Sequence, residues 1–124
     1  MSFEVGVVGR VSASHVMPGR PPPEGELHAH DYRVEVTVGG DDLDEAGMVV
    51  DLDVLRVALD AALAQVEGAD LGVRLGMDEV TVERFAAWVH GRMAEAIGSV
   101  ARATIRVRVW EGPDAFGGYT APSG

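Results

Sequence analysis

The chain contains no cysteine and no lysine. Without cysteine there is no disulfide, no thiolate metal ligand and no thiol nucleophile. All ten basic residues are arginine, set against twenty acids for a net charge of −10. Such a surface repels phosphodiester backbones, whose binding draws most of its affinity from cationic contacts, and it offers no polybasic membrane anchor. Neither nucleic acid nor membrane is an expected partner. No apolar run approaches the roughly 20 residues of a membrane-spanning helix, and the N-terminus lacks the charged-then-apolar order of a secretion signal. A cytoplasmic location is therefore expected. At 124 residues and 47% hydrophobic, the chain suits one compact domain, 1–124, with its own core.

Periodicity supplies the elements. Phe3 to Ser12 alternates apolar with small or polar side chains, as a half-buried strand does, and the strand is expected to end near His15. The segment from Pro18 to Gly25 is rich in proline and glycine and reads as a loop. A second strand is expected from about Leu27 to Val38, turning at Gly39-Gly40-Asp41-Asp42. Leu52, Leu55, Ala58, Leu59, Ala62, Leu63 and Val66 follow helical spacing behind Asp51, a candidate N-cap. Gly68 to Met77 reads as a connection. A second helix runs from Thr81, another candidate cap, to Ile97, with Phe85, Trp88, Val89, Met93 and Ile97 inward and Glu83 and Arg84 facing solvent. Ala103 to Trp110 alternates again, Glu111-Gly112-Pro113-Asp114 breaks it, and a short strand follows around Gly118-Tyr119-Thr120. The expected class is α+β, ordered ββααββ, with a four-stranded antiparallel sheet and two helices on one face. The opposite face then needs covering, and little chain is left to do it, so an oligomer is implied.

Three histidines carry the chemistry. His28 and His30 form a His-Ala-His pair at the start of the second strand, and residues two apart on a strand point the same way. His15 lies near the end of the neighbouring strand. Together they form a candidate site for zinc, which in catalytic sites is commonly held by three protein ligands with a fourth position left open. A lone His-x-His is more often a solvated or core pair. The surrounding blocks change that reading.

Those blocks are Ser12-Ala13-Ser14-His15, His28-Ala29-His30-Asp31-Tyr32, Gly47-Met48-Val49-Val50-Asp51-Leu52 with Leu55, Thr81-Val82-Glu83, and Val107-Arg108-Val109-Trp110-Glu111 with Tyr119. In this order they resemble the 6-pyruvoyl-tetrahydropterin synthase and 6-carboxytetrahydropterin synthase family, zinc enzymes of the tunnelling fold, or T-fold. Ala29 stands where the family usually has glycine. The resemblance implies zinc on His15, His28 and His30. It also implies a homo-hexamer built as a dimer of trimers, whose sheets join into barrels and whose sites lie at subunit boundaries. A further implication is that Glu111, helped by Thr81, binds the guanidine-like edge of a pterin ring. A carboxylate accepting two parallel hydrogen bonds from such an edge is a strong, orienting contact.

The chain departs from the family in two places. The familiar synthases have a cysteine shortly before the His-x-His pair as general base, and here Glu24 stands four residues before His28. Members with glutamate resemble a subgroup that cleaves the side chain of dihydroneopterin triphosphate to a 6-hydroxymethyl product. Glu24 is thus the expected proton carrier. The family's Leu-Asp-His falls on Val66-Glu67-Gly68, so the Asp-His relay is absent, and Glu67, Asp70, Asp31 and Asp114 remain as substitutes between which spacing does not choose. His90 reads as an exposed helix histidine. Gly112 replaces a hydroxyl residue that often follows the anchoring glutamate, which is expected to loosen the pocket. Only Arg10, Arg20 or Arg33 is placed to offset a triphosphate in so acidic a chain.

The leading expectation is a zinc-dependent pterin synthase or lyase acting on dihydroneopterin triphosphate or a related dihydropterin. Its rivals are a repurposed T-fold enzyme acting on another nitrogen heterocycle, and a catalytically silent T-fold binding subunit.

Overall fold

The computed structural model describes residues 2–98 and 103–124. Two long strands, β1 (Phe3–His15) and β2 (His28–Gly40), are followed by helices α1 (Leu52–Ala64), α2 (Leu71–Leu75) and α3 (Val82–Ile97), then by strands β3 (Thr104–Gly112) and β4 (Ala115–Pro122). The sheet is antiparallel with order β1-β2-β3-β4. This is the expected α+β class.

Alternation explains the layering. Val7, Val11 and Ala13 of β1, Tyr32, Val34, Val36 and Val38 of β2, and Ile105, Val107 and Val109 of β3 are buried on one face. Leu55, Leu59 and Leu63 of α1 and Phe85, Ala86, Val89 and Met93 of α3 close over them. Each fully buried large side chain contributes roughly 1.5–3 kcal/mol relative to exposure. The caps are where the sequence places them: Asp51 accepts from the Asp53 N–H, and the Thr81 hydroxyl accepts from the Arg84 N–H at 3.2 Å.

The opposite face carries no helix. Its residues include Val8, Arg10, Arg33, Glu35, Arg106, Arg108, Trp110 and Phe116, with Arg33 paired to Glu35 at 2.9 Å and Arg108 stacked over Phe116. It is a largely polar face, so its burial alone is a weaker reason for assembly than the residue pattern suggested.

Several expectations need correction. Gly39 and Gly40 do not turn the chain; they extend β2 and pair with Glu4 and Phe3. The connection from Gly68 to Met77 contains α2, capped by Asp70 and ended by Gly76 at φ 70°. Five residues are too few to show a period. His90 is not exposed: it retains 8% of its surface, its Nε2 lies 3.1 Å from the Ala121 carbonyl, and its ring meets Tyr119. The cause is β4, which is longer than expected and covers that side of α3.

The junction of α3 with β4 is close. A Cβ at Gly117 would overlap Val82 Cγ2 and stand 3.1 Å from Glu83 Oε1, so glycine lets the first turn of α3 seat against the sheet. Gly117→Ala should cost about 1–3 kcal/mol by overpacking, read as a lower urea midpoint at unchanged slope. An unchanged midpoint would show that the contact is not tight.

Candidate metal centre

The register of β1 on β2 assembles the histidines. His15 is the direct partner of His28, and Ala13 is the partner of His30. The three ring centroids form a near-equilateral triangle with sides of 4.5, 5.1 and 4.9 Å. One nitrogen from each ring can be chosen so that all lie within 4.8 Å of one another.

Their orientation is fixed from outside. His15 Nδ1 lies 2.9 Å from the Val80 carbonyl and His28 Nδ1 lies 2.8 Å from that of Glu26. A carbonyl can only accept, so Nδ1 carries the proton in both rings and Nε2 keeps its lone pair. Carbonyl partners of this kind fix tautomer and ring direction in metal-ligating histidines. His15 Nε2 and His30 Nε2 are buried and without a hydrogen-bond partner among the described residues. Buried ring nitrogens without hydrogen bonds, grouped within reach of one another, fit a cation.

Glu111 stands beside them. The ladder between β2 and β3 ends at Arg33 with Trp110, and Glu111 is the next residue, on the face of Val107 and Val109. Its Oε1 is 2.9 Å from His30 Nε2 and 3.6 Å from His15 Nε2, an ion-pair approach without hydrogen-bond geometry. Beneath lies Tyr32, 2% exposed, its ring packed against those of His15, His30 and Phe85. Burial, reinforced by the Glu111 carboxylate, raises its pKa and keeps its hydroxyl protonated.

The histidines open into a cleft of about 450 Å³, lined also by Glu24 and Arg20 of the 17–25 loop and by Thr81, Val82, Glu83 and Glu111. That volume suits a small organic ligand. Every expected site residue, His15, His28, His30, Glu24, Thr81 and Glu111, is in this one cleft. Glu83 is exposed, as expected, and also lines this cleft.

The proposed relay substitutes do not join them. Glu67 accepts the Ser12 N–H at 2.9 Å, Asp31 accepts from the Ser12 hydroxyl, Asp70 caps α2, and Asp114 lies in the β3–β4 turn. Arg10, Arg33 and Gly112 line a separate cleft on the helix-free face. Gly112, next to Glu111, is thus not itself among the residues lining the histidine cleft.

Comparison with known proteins agrees with this geometry. The family model described as 6-pyruvoyl tetrahydropterin synthase matches residues 4–122. The chain belongs to that family. It is 34% identical to the 6-carboxy-5,6,7,8-tetrahydropterin synthase of Synechocystis over 89 residues, covering 68% of this chain and 69% of the relative. It is 31% identical to a putative enzyme of the same name from Pyrococcus abyssi, covering 76% and 74%. Its fold matches the 6-pyruvoyl tetrahydropterin synthases of Caenorhabditis elegans, with TM-score 0.79 and 19% identity over 98% of this chain and 96% of that one, and of Plasmodium vivax, with TM-score 0.80 and 13% identity over 98% and 99%.

The pKa of His30 is lowered from its ordinary 6.5, first by burial; Glu111 pulls it upward, and His15 and His28 push it down. An imidazole less basic folded than unfolded favours folding in its neutral form. That contribution is full above about pH 6.5 and is lost as pH falls from there through the lowered folded value. Metal-stripped protein should melt at lower temperature as pH is reduced from about 7.5 to about 5.5, and His30→Asn should shrink the decrease. Equal decreases in both proteins would contradict it.

Proposed function

We propose that the protein is a zinc-dependent pterin synthase or lyase acting on the side chain of dihydroneopterin triphosphate or a related dihydropterin. The observation that carries it is the convergence of three histidines with Glu24, Thr81 and Glu111 in one cleft of a family member. His15, His28 and His30 would hold zinc, which when bound supplies a Lewis acid to the side-chain oxygens of the ligand.

The remaining roles fall to side chains. Glu111 accepts paired N–H donors from the ring edge and so fixes which end of the ligand faces the histidines. The Thr81 hydroxyl, already accepting from the Arg84 N–H, keeps its own proton to donate to the ring. Glu24, from the 17–25 loop, takes a proton from the side-chain carbon and returns it later. Glutamate in this role has support from the Plasmodium vivax synthase, for which structures exist with a catalytic glutamate replaced by alanine or by cysteine. The edge positions of β4, and those of β1 before the Ser12–Ser14 stretch that the 67–69 segment covers, support assembly into the family's dimer of trimers, since closing a barrel removes exposed strand edges. Light scattering should find a hexamer; a stable monomer at micromolar concentration would refute it.

The direct test is incubation of zinc-loaded protein with dihydroneopterin triphosphate and mass identification of the pterin product. Absence of product would oppose the enzymatic reading. Glu24→Gln should lower turnover about 10²–10⁴-fold while zinc content and pterin affinity stay, and full activity would remove Glu24 from the mechanism.

A second reading is favoured by the 2.9 Å approach of Glu111 to His30. With Glu111 as a fourth ligand the metal would be closed to substrate, as in structural zinc sites, and the protein would be a silent binding subunit. Glu111→Gln decides between the two. As a ring anchor it should weaken pterin binding by about 1.5–3 kcal/mol, the range for a hydrogen bond to a charged group, with zinc retained. As a ligand it should weaken zinc binding instead.

A further inference from the structure

We infer that Arg20 reads an anionic group on the ligand's side chain and thereby sets which pterins the cleft prefers. The inference deepens the pterin reading above and rests on it. The cleft is lined by the carboxylates of Glu24, Glu83 and Glu111, in a chain of net charge −10. Against them it presents one guanidinium among the described residues, that of Arg20. An anionic tail entering beside these carboxylates needs a compensating cation, and Arg20 supplies one in addition to whatever the histidines hold.

Arg20 is the arginine that lines this cleft with its side chain uncommitted. The side chains of Arg33, Arg56, Arg74, Arg84 and Arg92 are committed to carboxylates or backbone carbonyls. Arg20 makes no side-chain hydrogen bond or ion pair with the described residues, while its backbone is fixed. Its N–H donates to the Met17 carbonyl at 3.2 Å, Met17 N–H donates to Glu24 at 2.8 Å, and Gly25 N–H donates to Pro21 at 3.2 Å. Gly25 packs so closely on the Arg20 carbonyl that a Cβ there would overlap it. The loop thus carries both Arg20 and Glu24 in the lining of the cleft. A planar guanidinium suits phosphate and carboxylate oxygens alike, so the shared chemistry is an anion on the tail.

Equilibrium binding to the zinc-loaded full chain tests this with dihydroneopterin triphosphate, 6-carboxypterin and neutral 6-hydroxymethylpterin as probes. The wild type should prefer an anionic pterin to the neutral one. Arg20→Ala should reduce that preference about tenfold to a hundredfold, as loss of a charge-assisted contact does, and Arg20→Lys should restore part of it. Zinc content and circular dichroism should stay those of the wild type. A larger loss for the triphosphate identifies phosphate as the group read, and a larger loss for 6-carboxypterin identifies carboxylate. Equal effects of Arg20→Ala on all three probes, or none, would overturn the inference and leave the pterin reading standing. Failure of the wild type to bind any of the three would overturn both.

Discussion

The antiparallel register between β1 and β2 is the constraint on which the rest depends, because it decides which imidazoles share a face. His15 opposes His28 directly, and His30 follows two residues along the same face. A slip of one residue would turn the pair from His15 toward the opposite side of the sheet. The register is held by burial: Val7, Val11 and Ala13 on one strand and Tyr32, Val34, Val36 and Val38 on the other must all face the helices. The apolar core of the sheet therefore doubles as the alignment device for the metal centre.

The end of β1 that carries His15 is held in place from its free side. Gly68 N–H donates to the Ser12 carbonyl at 2.6 Å, Ser14 N–H donates to Ala69, and the Glu67 carboxylate takes the Ser12 N–H. The stretch after α1, where the family carries its relay, serves here as a strap on the strand edge. Toward the other side, the Val80 carbonyl fixes His15 just before Thr81 begins α3. Backbone groups from two distant connections thus position one imidazole.

Electrostatically the cleft combines opposite demands. His30 is made less basic by burial, while Glu24, Glu83 and Glu111 line the same cleft. A divalent cation at the histidines would offset two of these charges, and Arg20 offsets one more.

Much of this was legible in the sequence. Alternation gave the strands, helical spacing gave α1 and α3, and Asp51 and Thr81 marked their starts, because those signals are local and follow from backbone geometry. The His-x-His pair and its flanking blocks marked the metal centre for the same reason. The sequence did not show that β4 covers His90, that α2 exists, or that Arg20 rather than Arg10 or Arg33 shares the cleft. Strand length, helix docking and the path of the 17–25 loop depend on contacts between residues far apart in the chain. Glu67 shows the difference most clearly: its position suggested chemistry, but its carboxylate is occupied by a backbone N–H 55 residues away. Only the folded chain brings that donor within reach.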